Sequence, residues 1–153
     1  MNYLLHELSG LRFILIIEIR CMRETKILEL RPIIEQAMVT HALPHETFQN
    51  TTLRPILKLQ HPLTTILLDT NSHFSKLYPN PSRLTPDQYA VAIDKFIKSN
   101  KAFRVQLIGM ITGLMTIEEY KLYGEHKSEY NKRMVTMQIK RYIDTFSTVK
   151  GSE

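Results

Sequence analysis

Two short stretches pair a basic side chain with a proline: LRPII at Leu30–Ile34 and LRPIL at Leu53–Leu57. A guanidinium presents a planar fork of donors that matches a carboxylate or a phosphate. Held side by side, Arg31 and Arg54 would form an anion site, with Glu119 a third candidate for the lining of a ligand pocket. The plainer reading places each proline inside an apolar helical pattern. There it removes a hydrogen bond, frees the carbonyl four residues back (Leu28 or Thr51) and bends the helix, leaving each arginine solvated. The match stops after five residues, far short of a repeat unit. Two bent helices are expected in preference to a paired site.

The other chemistry-bearing groups are weaker. His41 and His45 stand four apart with Glu46 next, a spacing that can hold a metal on one unbroken helical face. Pro44 falls between them and no third ligand follows at a characteristic spacing, so no metal site is expected. Glu118 and Glu119 diverge by about 100° on a helix, so they do not converge on a substrate atom as an acid–base pair must. No phosphate-binding glycine loop, nucleophile elbow or dinucleotide fingerprint occurs, and neither a catalytic residue nor a cofactor is assigned. Lys132, Arg133, Lys140 and Arg141 could contact phosphates. Glu129 lies one turn before Arg133, however, and Asp144 one turn after Lys140. Nucleic-acid binders concentrate unpaired bases on one face, which disfavours that partner.

The elements that position these groups read as helices throughout. Ile27, Leu30, Ile34, Ala37 and Met38 recur at helical spacing and predict one helix over Glu24–His41 with Pro32 inside it. Phe48, Thr52, Ile56, Leu59, Leu63 and Ile66 predict a second, running through Pro55, with a fresh start near Pro62. Asp69–Arg83 is rich in turn formers and reads as the longest loop. Thr85, Pro86 and Gln88 form a capping box ahead of the stripe Tyr89, Ile93, Phe96 and Ile97, with Asp94 and Lys98 paired outside. Phe103, Leu107, Ile111 and Leu114 mark the next helix. Its uncharged run Val105–Ile117 predicts the most buried position, and Gly109 and Gly113 predict a close helix crossing. A second capping box at Thr116 opens a short helix ending near Gly124, and Ser128 to about Thr148 forms the last, burying Val135, Ile139, Tyr142 and Phe146.

Composition is that of an ordinary globular chain: 153 residues, 43% hydrophobic, 23% charged, net charge +5. Cys21 is the only cysteine, which excludes an intramolecular disulfide and fits a reducing, cytoplasmic setting. The segment LRFILIIEI (Leu11–Ile19) is far shorter than the ~20 apolar residues of a membrane span, and no signal-peptide pattern precedes it. A break in composition at Met22 leads to the expectation that translation starts there, Met1–Cys21 being read from upstream. The alternative is an N-terminal strand or helix packed on the domain.

FQNTTLRPILKLQH (Phe48–His61), KAFRVQLIGMITGLMTIEEYKLY (Lys101–Tyr123) and NKRMVTMQ (Asn131–Gln138) resemble a family of small, uncharacterised all-helical Bacteroidota proteins, some labelled glyoxalase. The resemblance covers roughly Met22–Thr148 and implies a single cytoplasmic helical domain. The label would imply βαβββ modules holding a metal through His, Gln and Glu on strands. This chain shows helical patterns instead.

The expectation is therefore an all-α bundle of five to seven short helices, some proline-kinked, spanning 22–148, with 1–21 a doubtful extension and 149–153 a tail. The expected function is a non-enzymatic interaction or self-associating domain, with an unknown protein partner or a second copy meeting Tyr130, Met134 and Met137 on the last helix. The alternatives are an enzyme or small-molecule binder, possibly lactoylglutathione-related, and a weak nucleic-acid binder. No membrane partner is expected.

Overall fold

The computed structural model describes residues 18–19, 21–34 and 43–151. Two compact units divide the chain, Met1–Arg31 and Pro32–Glu153. In the first, residues 21–30 form helix α1, with Ile27 buried and Lys26 paired with Glu29 at 2.7 Å. Of Met1–Cys21 only residues 18, 19 and 21 are described, all helical; the rest of that expectation lies outside the described residues.

Pro32 does not bend a helix. It ends one. The residue ahead of a proline is pushed out of the helical region, and α1 stops at Leu30. The Leu28 carbonyl, expected to be freed, accepts the Arg31 N–H at 3.2 Å in a tightened last turn. Residues 35–42, His41 among them, lie outside the described residues.

The second unit holds seven α-helices among its described residues, and the all-α expectation is met. α2 (Pro44–Phe48) runs through a π turn (Gln49–Leu53) into α3 (Arg54–Asp69). Pro55 lies just past that turn. The missing proline N–H is absorbed by widening: Arg54 N–H reaches the Gln49 carbonyl, five residues back. The added residue rotates the inward face of α3. Leu53, Ile56, Leu57, Thr64 and Leu68 are buried, whereas Leu63 and Ile66, expected on that face, are 53% and 57% exposed. Nor does Pro62 start a new helix. It sits within α3 on the solvent side, where its missing N–H costs least because water can take the donor's place.

The expected long loop contains α4 (Ser72–Leu77), capped by Asn71 and burying Phe74, and a 3₁₀ turn at Pro81–Arg83. α5 (Pro86–Ser99) begins at the Thr85 capping box and buries Tyr89, Ile93, Phe96 and Ile97; Asp94 and Lys98 pair at 2.8 Å. α6 (Lys101–Thr112) is capped by Asn100, and α7 (Ile117–Glu125) by Thr116 with Glu119. α8 (Lys127–Gly151) closes the chain, three residues past its expected end.

The most buried helix is not α6. That helix buries only Phe103, Leu107 and Ile111, and Val105 is 61% exposed. α8 is central instead, packing on α3, α5, α6 and α7. One end contributes Tyr130 and Met134 to a core with Phe48, Leu53, Ile56 and Leu57. The other adds Ile139 and Tyr142 to a core with Leu68, Ile93, Phe96 and Phe103. Charge-free sequence marked α6 as central, but a long helix that feeds both core clusters covers more neighbours than a short one with a single buried stripe.

Among the described residues the expected close crossing at Gly109 and Gly113 does not form. Of those residues, a Cβ at Gly109 would meet nothing within 4 Å, and one at Gly113 would meet the Gly109 carbonyl at 3.2 Å. Gly109 thus adds helix-interior flexibility with no packing return. Gly109→Ala should stabilise the protein by about 0.5–1 kcal/mol in urea denaturation; a loss of stability there would reveal a contact at that surface.

Candidate functional site

Turning Leu53, Ile56 and Leu57 inward leaves Arg54 and Lys58, one turn apart, on an outer face of α3. α8 does the same alongside: with Met134, Gln138, Ile139 and Tyr142 buried, Lys140 and Arg141 come outward. The four cations line one cleft of about 630 Å³, walled by Ile33, Ile34 and Met137, with Asp144 the one carboxylate among its described lining residues. None of the four has an ion-pair partner among the described residues. The Lys140–Asp144 neighbour relation that argued against a basic patch yields no ion pair, although the Glu129–Arg133 pair does form, at 2.8 Å.

Arg141 is half-buried. Desolvation, and then the Arg54 guanidinium, lower its pKa from the usual arginine value, and Asp144 only partly offsets them. A cation in this position is under electrostatic load that a bound anion would relieve. Beside it, His61 on α3 bonds Thr145 Oγ1 through Nε2 at 2.7 Å, and its Nδ1 lies 3.5 Å from Gln138 Nε2. Burial and then Arg141 hold its pKa below the ordinary 6.5.

The sequence-derived candidates are distributed differently. Arg54 joins the cleft, but Arg31 belongs to the other compact unit. Glu119 is a structural clamp: Oε2 accepts the Thr116 N–H at 2.7 Å and Oε1 the Thr52 hydroxyl at 2.8 Å. Tyr130 and Met134 are core residues, at 4% and 0% exposure, and offer no partner surface. Their stripe lies beside the main apolar face of α8 because that helix is enclosed on more than one side. Met137 is half-buried at the cleft wall. Lys58, Lys140, Arg141 and Asp144 were not singled out as one site. Pairing the i, i+4 cations of α3 with the adjacent cations of α8 would have required knowing that those helices pack together.

Among the described residues no group of His, Cys, Asp and Glu is arranged to hold a metal, and no helix is long and apolar enough to cross a membrane. Compared with protein-family models, curated proteins and solved structures, the chain matches none.

The depressed His61 pKa carries a definite sign. As pH falls through 6.5, the unfolded imidazole takes its proton before the folded one does, so stability drops. It stops dropping on this account once pH passes below the folded pKa. Replacing the imidazole by His61→Asn should flatten this part of the profile, measured by urea denaturation between about pH 7.5 and 5. Thr145, Gln138, Tyr142 and Arg141 face the imidazole from α8, and none but the arginine is charged in that range.

Proposed function

We propose that this chain is a helical binding domain whose cleft between α3 and α8 holds a compact, multiply charged anion, a phosphorylated small molecule being the best fit. One observation carries the reading: four cations converge there without an ion-pair partner among the described residues, one of them half-buried and pushed below its ordinary pKa. Like charges gathered at a partly dry surface repel, and the arrangement becomes favourable only with a counter-charge between them. Arg54 and Arg141 would grip phosphate oxygens through paired N–H groups, and Lys58 and Lys140 would act as point charges. Ile33, Ile34 and Met137 supply an apolar wall for the rest of the ligand, and Asp144 accepts a hydroxyl or amine.

Binding is favoured over catalysis because the cleft's described lining contains no thiol, imidazole or hydroxyl. A nucleic-acid strand is a weaker fit, since that lining has no aromatic ring on which a base could stack. A cytoplasmic setting, where phosphorylated metabolites abound, belongs to the same reading.

A thermal-shift panel of sulfate, pyrophosphate, nucleotides and S-lactoylglutathione tests it. Pyrophosphate or a nucleotide should give a saturable rise in Tm, worth about 2.7 kcal/mol at a hundredfold excess over Kd. Arg54→Met with Arg141→Met should abolish the rise while leaving the unliganded protein equally or more stable. Anion at Arg141 should also raise the His61 pKa toward its ordinary value, followed by imidazole NMR. No saturable shift, or one that survives the double substitution, would overturn the proposal.

A further inference from the structure

A second concavity, of about 450 Å³, lies between α6 and α8. α6 contributes Lys101, Arg104, Val105 and Ile108, which recur at helical spacing and form one face; α8 contributes a matching face that includes Lys132 and Val135. Its floor is aliphatic. Ile108 and Val135 rest on the two core clusters, and Val105 stands 61% exposed at its edge. Its rim is cationic, with Lys98, Lys101, Arg104 and Lys132, and no carboxylate is among its described lining residues.

The four rim cations are not equivalent. Lys98 is neutralised by Asp94 at 2.8 Å. Arg104 folds back over the end of α5, its Nη1 donating to the carbonyls of Ile97 and Lys98. Lys101 and Lys132, one on each helix, are exposed and have no ion-pair partner among the described residues.

We propose that this groove docks an acidic amphipathic helix of a partner protein. A trough between two helices accepts the ridge of a third, the arrangement by which helices ordinarily pack. From Lys101 to Ile108 the groove is about 10 Å long at the helical rise per residue, enough for two turns of a docked helix. Leucine-like side chains at i, i+3 or i+4, and i+7 would cover Val105, Ile108 and Val135. Carboxylates flanking that ridge would meet Lys101 on one side and Lys132 on the other.

The aliphatic floor argues against nucleic acid, which would need aromatic stacking platforms beside the cations. The concave shape argues against a lipid surface, which apolar residues reach by protruding. This site is separate from the anion cleft, and neither reading depends on the other.

The test uses the full chain and designed helical peptides, each with the same leucine ridge but flanked either by Glu or by Lys. The Glu peptide should bind with micromolar affinity in calorimetry and should shift the methyl resonances of Val105, Ile108 and Val135. Lys101→Glu with Lys132→Glu should weaken it by about tenfold or more. Val105→Asp, at an exposed site where folding is not at risk, should do the same. Equal binding of the Lys peptide, methyl shifts confined to other surfaces, or no binding of the Glu peptide would overturn the proposal. So would selective occupation of the groove by an oligonucleotide, by anionic vesicles or by a second copy of the chain, seen as the same methyl shifts without peptide.

Discussion

The wide turn at Gln49–Leu53 decides which side of α3 faces the core. A regular helix through this point would keep Phe48, Thr52, Ile56, Leu59, Leu63 and Ile66 on one stripe. One added residue turns the later part of the helix by about 100°, which replaces Leu63 and Ile66 by Leu57, Thr64 and Leu68 as inward residues. The cause is chemical. Pro55 offers no N–H, so the regular ladder would fail just there, and Arg54 instead bonds five residues back. Everything on the outer face follows, including the placement of Arg54 and Lys58 beside α8.

Local signals in the chain were read correctly where a few neighbouring residues determine the outcome. The Thr85–Gln88 and Thr116–Glu119 boxes form as expected because caps depend only on residues three apart. The stripe Tyr89, Ile93, Phe96 and Ile97 is buried because it is a narrow, unambiguous face. Errors arose where the backbone had more than one response to the same residue. Pro32 terminates a helix, Pro55 widens one, and Pro62 sits within one on the solvent side. Proline removes the same donor each time, and only the surroundings choose among these outcomes.

The candidate site was half legible for a related reason. Arg54 stood out because it recurs beside a proline, yet two of its companions, Lys140 and Arg141, come from a helix far away in sequence, and helical spacing carries no information about that pairing. Arg31, the companion weighed for it and not preferred, belongs to the other compact unit. Asp144 was read as neutralising Lys140 on spacing alone, but i, i+4 placement permits an ion pair without requiring one, and exposed pairs gain little. Tyr130 and Met134 form a second apolar stripe, and helical spacing alone leaves open whether such a stripe meets a partner or fills the core. A helix enclosed by four neighbours buries more than one stripe.

What fixes α3 against α8, and so the spacing of the cationic cleft, is a buried polar contact rather than apolar packing alone. Gln138 Nε2 donates to the Thr64 hydroxyl at 2.8 Å, and the Tyr142 hydroxyl donates to the Thr64 carbonyl at 2.8 Å. Burial pushes the Tyr142 pKa up, which keeps that hydroxyl protonated and donating. Apolar side chains tolerate sliding by a fraction of a turn, whereas a buried donor that loses its acceptor costs about 1–3 kcal/mol. These two bonds therefore penalise any slide of α8 along α3. Gln138 contributes to this at a cost, because its Oε1 is buried with no partner among the described residues. Retaining such a group makes sense where register matters more than stability. The register it holds is the one in which Arg141, next turn on α8, lies within electrostatic reach of both Arg54 and His61.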